Sequence, residues 1–149
     1  LKSIAVILLI AFMAGCIGQN ASQMSWETDA QVALDKAKSE KKSLLLFFYD
    51  SKATAVIGGE SVNPSEWMDR NVFSDTRVIE LLRNKFISVR LNGETKENMS
   101  LARAYGSSVF PFFIVVDANG QVCTTFSGIS EGDEFLKKME SCVTPTPVF

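Results

Sequence analysis

The stretch Val109-Phe110-Pro111-Phe112-Phe113-Ile114-Val115-Val116-Asp117-Ala118-Asn119-Gly120-Gln121 leaves the chain few ways to fold. Phe112 to Val116 carries no polar side chain, so a strand there suits water on neither face. Such a run predicts a central strand covered by helices on both sides. Asn119-Gly120 supplies the positive φ angles of a tight hairpin turn, and Val122 to Phe126 reads as the returning strand. Pro111 removes a ladder donor at the mouth of the central strand. That position points to a special turn with a cis Phe110-Pro111 bond.

Composition narrows the function classes. A chain of 149 residues with 46% hydrophobic and 21% charged residues has room for one globular domain and one core. Its formal net charge of -2 provides no electrostatic footprint for nucleic acid. Histidine is absent, which excludes a Ser-His-Asp or Cys-His site and any histidine-ligated zinc. The cysteines, Cys16, Cys123 and Cys142, are too few and too scattered for an all-cysteine metal site. The expectation is therefore no metal and no cofactor.

Residues 1–16 read as a targeting segment: Lys2 is a short positive region and Ile4 to Phe12 an apolar run too short to span a bilayer. Met13-Ala14-Gly15-Cys16 resembles the lipobox of a prokaryotic lipoprotein, which implies a lipid on Cys16 as the contact with the membrane. An ordinary secretory signal with a chance cysteine is the plainer alternative. Residues 17–25 form a short polar tether, 26–142 the domain, and 143–149 an extended tail whose alternating prolines forbid a helix. Within the domain, Thr28-Asp29-Ala30-Gln31 reads as a capping box, followed by a helix with Trp26, Ala30, Ala33 and Ala37 on one face. Ser43 to Tyr49 is a buried strand. Asn63-Pro64-Ser65-Glu66 starts another helix, with Asn63 at N-cap, Pro64 at N1 and Glu66 reaching back from N3. Asp75 or Thr76 caps a helix over 77–86, Phe86 to Leu91 alternates as a third strand, and Thr95 caps a helix that Gly106 ends. After the hairpin, Gly128 breaks the chain and Ser130 caps a last helix with Phe135, Leu136, Met139 and Cys142 inward.

Ala104-Tyr105-Gly106, Val109-Phe110-Pro111, the apolar strand, Asp117 and Asn119-Gly120 together resemble the second half of a thioredoxin-like domain. The resemblance implies an α/β three-layer sandwich, a central mixed sheet of about four strands with helices on both faces, and an extra N-terminal helix. Trp67-Met68-Asp69-Arg70-Asn71-Val72-Phe73-Ser74-Asp75 resembles the segment that follows the Cys-x-x-Cys in the extracytoplasmic branch of that family. Aligned on Met68, the two cysteine positions fall on Val62 and Ser65, with Asn63 and Pro64 between them. Residues 50–62, around Gly58-Gly59, then stand as an inserted loop. What the resemblance leaves intact is the peptide-facing part: the helix start, Trp67, and the Val109, Phe110, Pro111 loop, with Phe110, Phe112 and Trp67 as an apolar floor.

Thiol–disulfide exchange needs a thiolate, and the family places the attacking cysteine at a helix N-terminus. Ser65 cannot replace it, because a hydroxyl is too weakly acidic and there is no histidine to take its proton. Cys123 and Cys142 form either a displaced redox couple, a structural disulfide or two buried thiols; the exported setting favours the structural bridge. Lengths agree with it. From Cys123 the strand runs about 17 Å to Gly128, and the returning helix covers about the same distance to Cys142. Parity stays open, since Val122 or Thr124 can face the helix instead. The reading is a membrane-anchored, extracytoplasmic domain without a dithiol site that binds an extended polypeptide or acts as an accessory. A divergent oxidoreductase using Cys123 and Cys142 or a partner's cysteines, and a structural domain of a surface complex, are the alternatives.

Overall fold

The computed structural model describes residues 22–143. The expected signal segment with Cys16, most of the tether, and the tail after Val143 lie outside them. In chain order the elements are α1 (Ala30–Glu40), β1 (Ser43–Tyr49), β2 (Ala55–Ile57), β3 (Glu60–Val62), α2 (Pro64–Asn71) and α3 (Thr76–Lys85). They continue with β4 (Phe86–Asn92), α4 (Lys96–Ala104), β5 (Phe112–Val116), β6 (Val122–Ser127) and α5 (Gly132–Glu140). One sheet has the order β4-β1-β5-β6; β1 is parallel to β4 and antiparallel to β5, and β5 is antiparallel to β6.

Period-two alternation sorts the apolar strands onto two faces. Leu45 and Phe47 of β1 and Phe113 and Val115 of β5 meet Met68 of α2, Val78 and Leu82 of α3, and Phe135 and Met139 of α5. Leu44, Leu46, Phe48, Phe112 and Ile114 turn the other way, under Ala33 and Ala37 of α1 and Ala102 of α4. The result is the expected three-layer α/β sandwich. On the first face Phe113 lies between Phe47 and Phe126, with ring centroids 5.2 and 4.5 Å away, and Phe135 stands edge-on to it at 5.8 Å. Pairs of this kind add about 0.5–1.5 kcal/mol each beyond the area they bury.

Several local readings change. Asp29, not Thr28, caps α1: its carboxylate accepts the Val32 N–H at 2.9 Å, and an anion suits the positive helix end. Trp26 does not share a face with Ala33 and Ala37. It precedes the helix in an extended segment and packs on Phe73 and Phe47 across the sheet. In that segment the Glu27 N–H donates to the Ser88 carbonyl and the Arg90 N–H to the Glu27 carbonyl, so the outer edge of β4 is partly covered. Glu66 does not reach back to Asn63 and pairs instead with Arg70 at 3.6 Å. In the β5–β6 turn Gly120 has a positive φ (83°), but Asn119 does not. Asp117 Oδ1 holds that turn by accepting the Asn119 and Gln121 N–H groups. Glu131 rather than Ser130 is the N-cap of α5, and it makes no side-chain cap bond.

Candidate functional site

Residues 50–62, expected as a loop, fold into a β2–β3 hairpin with Ala55 opposite Val62, turning at Gly58 (φ 61°) and Gly59 (φ 89°). Its base is tied down by polar groups. Asp50 Oδ1 accepts the Lys52 and Ala53 N–H groups at 2.7 and 3.1 Å, a local turn of the kind short carboxylates favour. Asn63 Nδ2 donates to the carbonyls of Asp50 and Ala53, both at 2.9 Å. Its Oδ1 accepts from Ser65 N–H and Glu66 N–H at 2.9 and 3.0 Å. One side chain thus caps α2 and clamps both sides of the insert's first turn. Ser65 is buried, and its Oγ accepts the Asp50 N–H at 3.2 Å. The residue aligned with the second cysteine therefore has a structural partner. Val62, aligned with the first, ends β3 and is half-buried.

Opposite lies the 106–111 loop. Gly106, at φ 92°, lets the chain leave α4 in the left-handed region. Ser107, buried, accepts the Val109 N–H at 3.1 Å and shares a 2.8 Å hydrogen bond with Ser127. The Phe110-Pro111 peptide bond is cis, and the Pro111 carbonyl accepts the Gly128 N–H at 2.7 Å. The Phe110 side chain is buried among the α1 and α4 side of the core and lies tight on Gly93. A Cβ at Gly93 would fall 2.6 Å from that ring. Phe112 is likewise core, at 2% exposure. Val109, by contrast, is 61% exposed.

Between the insert and this loop opens a cleft of about 510 Å³. Asp50, Ala53 and Ala55 line one side, Val109 and Phe110 the other, and Pro64 and Ile129 complete it. Of the sequence-predicted residues the cleft gathers Pro64, Val109 and Phe110. Pro111, buried, holds the loop's shape from behind. Trp67 does not line the cleft; it packs against the core on the α2 side. Asp50 and the hairpin wall were not anticipated, although the pairing of two short β-prone runs across Gly58-Gly59 is a hairpin signal.

Charge around the rim is mostly paired. The Ser51 hydroxyl and the Lys52 ammonium on Glu94 hold its carboxyl below the usual carboxylate range, and Glu94 in turn raises Lys52. The orientation of α2 is fixed from below by Arg90 of β4. Its guanidinium grips Asp69 with two bonds of 2.6 and 2.8 Å and lies over the Tyr49 ring, 4.8 Å from the centroid.

Cys123 and Cys142 are bridged, with Cα atoms 5.8 Å apart. A bulge settles their parity: Val116 pairs with Val122 but Val115 with Thr124, so Cys123 is the extra residue in β6. The bridge sits where β1 begins, and Ser43 Oγ donates to the Cys142 carbonyl. The cleft sits where β1 ends, about 20 Å away along a seven-residue strand. Sulfur and cleft therefore do not meet. A second cavity, of about 170 Å³, lies at the bridge end of the strands, beside the Lys36–Glu27 and Lys42–Glu40 ion pairs. The buried Ser88 hydroxyl, which has no hydrogen-bond partner among the described residues, borders it. No group of three or more metal-ligating side chains occurs among the described residues, nor a helix long and apolar enough to cross a membrane.

Comparison with known proteins agrees with this architecture. The thioredoxin-like domain family matches residues 30–142. No curated protein sequence matches the chain. Among solved structures, a thioredoxin from Thermus thermophilus superposes with a TM-score of 0.65 at 22% identity, over 80% of this chain and 85% of that one. The DsbH oxidoreductase gives 0.62 at 18% identity, over 95% and 93%. The oxidised C-terminal domain of DsbD from Neisseria meningitidis gives 0.60 at 21%, over 79% and 99%. At these identities the likeness is one of fold.

Proposed function

The chain belongs to the thioredoxin-like family, and on that premise we propose that it is a polypeptide-binding or accessory domain without a dithiol site, held at the extracytoplasmic face of a membrane by a lipid on Cys16. The observation that supports this most is the cleft beside the cis-Pro111 loop. It keeps an exposed apolar residue, Val109, while the aligned cysteine positions hold Val62 and Ser65. An extended segment laid there can use backbone pairing for affinity and side-chain contacts for choice. The Phe110 backbone groups are available for that pairing, since neither is hydrogen-bonded among the described residues.

Two measurements on the full chain in mild detergent test the reading. Reduced, carboxymethylated α-lactalbumin serves as a permanently unfolded probe; binding is expected, and Val109→Glu is expected to weaken it. Insulin reduction is expected to stay at background. Turnover that disappears in Cys123→Ser would instead establish the oxidoreductase alternative, and absence of binding would leave a structural domain.

A further inference from the structure

The cleft carries one ionisable side chain, Asp50, and no ion pair to it occurs among the described residues. Asp50 spends Oδ1 on the Lys52 and Ala53 N–H groups. Its Oδ2 accepts no hydrogen bond among the described residues. The nearest cation in sequence, Lys52, pairs with Glu94 at 3.0 Å and meets Asp50 only as a weaker through-space charge, so Asp50 has no ion pair among the described residues. Asp50 is half-buried, and the lining around it is apolar or uncharged: Ala53, Ala55, Pro64, Val109, Ile129. The N-terminus of α2 adds about half a positive charge nearby, but Asn63 Oδ1 already occupies its first two donors. A partly desolvated carboxylate with one oxygen unspent favours a cationic partner, which gains charge-assisted hydrogen bonds that are stronger than in open water.

From this charge complementarity we propose that the cleft selects extended polypeptide segments carrying a lysine or arginine, whose cation pairs with Asp50 while flanking apolar side chains lie against Val109 and Ile129. The proposal rests on the polypeptide-binding reading and adds specificity to it. The insert supplies that specificity. Asp50 is its first residue, and the Asn63 clamp on the Asp50 carbonyl fixes where the carboxylate stands.

The test uses fluorescence anisotropy with the full chain in mild detergent and three labelled nonapeptides of alternating threonine and valine. Their central residue is lysine, norleucine or glutamate. The lysine peptide is expected to bind about tenfold more tightly than the norleucine peptide, the size of one charge-assisted pair, and the glutamate peptide more weakly than either. Asp50→Asn keeps the Oδ1 acceptor for the turn and is expected to abolish the lysine preference, bringing the lysine- and norleucine-peptide affinities together. Equal affinity for lysine and norleucine peptides, both weakened by Val109→Glu, overturns the selectivity and leaves the polypeptide-binding reading standing. A lysine preference that survives in Asp50→Asn overturns it too, assigning the preference to general surface charge. If no peptide binds and unfolded α-lactalbumin does not bind either, both readings fail together.

Discussion

At the end of the sheet where β1 begins, Cys142 is bridged to Cys123 and its carbonyl takes a hydrogen bond from Ser43. At the end where β1 finishes, Asn63 alone joins the carbonyls of Asp50 and Ala53 to the first amides of α2. The first closure is covalent and stands about one strand length from the cleft. The second is made of bonds worth about 1 kcal/mol each, which hold a wall of the cleft in place and depend on its geometry. The bridge and the cleft are thus placed at opposite ends of the same strands. In a dithiol enzyme the sulfurs would stand at the recognition end.

The comparison breaks first if the covalent end matters to binding. Replacing both Cys123 and Cys142 by serine opens a loop with a sequence separation of 19. It is expected to cost about 3 kcal/mol, lowering Tm by about 10 °C in calorimetry. Affinity for unfolded α-lactalbumin, measured well below that Tm, should not change; a parallel loss of affinity would show that the two ends are coupled.

The opposite end gives a smaller effect on stability and a larger one on binding. Asn63→Ala is expected to cost about 2 kcal/mol in urea unfolding, the sum of a lost cap and a lost clamp. Affinity should fall severalfold because the hairpin wall is released. Asn63→Asp sharpens the point: it keeps the acceptor for Ser65 and Glu66 but loses the donor to Asp50 and Ala53. Stability should then recover more than binding does. If both recover equally, the clamp contributes nothing to the cleft.

The smallest effect lies on the helix side, where the N-termini of α3 and α5 meet. Arg77 bonds to Asp75 at 2.7 Å and to Asp133 at 2.8 Å, and its guanidinium holds the Asp75 carboxyl below its ordinary value of 3.8. A carboxyl depressed in the folded state stabilises the fold above its unfolded pKa, and that contribution is lost as pH falls through the folded value. Asp75→Asn, which retains a capping oxygen, should therefore lower Tm slightly at pH 7. The gap from the unmodified protein should narrow as pH drops below about 4. A gap that is constant with pH would remove the ion pair from the account.

The strands, the two-sided burial of β5 and most helix starts were legible because they depend on local pattern. Phe112 to Val116 has no polar face, and Asn63-Pro64 and Thr95 are strong caps. The bridge was legible from lengths, but its parity was not, since it depends on a bulge that places Cys123 between two paired residues of β6. The insert was misread because three-residue strands carry too little alternation to stand out, and Glu60-Ser61 looks like loop. The resemblance set Trp67 and Phe110 at the groove; Phe110 does line the cleft, with its ring buried tight on Gly93, whereas Trp67 follows the core side of α2. Asp50 was invisible as a site residue, because its second carboxylate oxygen stands out only once the partners of the first are known.

The strip of backbone that covers the outer edge of β4 has a directional consequence. Glu27 bridges Val89 in parallel, so the chain comes onto the domain from the end where β1 and β4 begin. If Cys16 carries the proposed lipid, the leash from it to Gln23 is at most about 25 Å long. It would then hold the bridged end towards the bilayer and the cleft outward, about one strand length farther from the lipid headgroups. A binding face held at that standoff would meet segments of proteins that project from the membrane or pass through the space outside it, rather than chain lying flat on the bilayer surface.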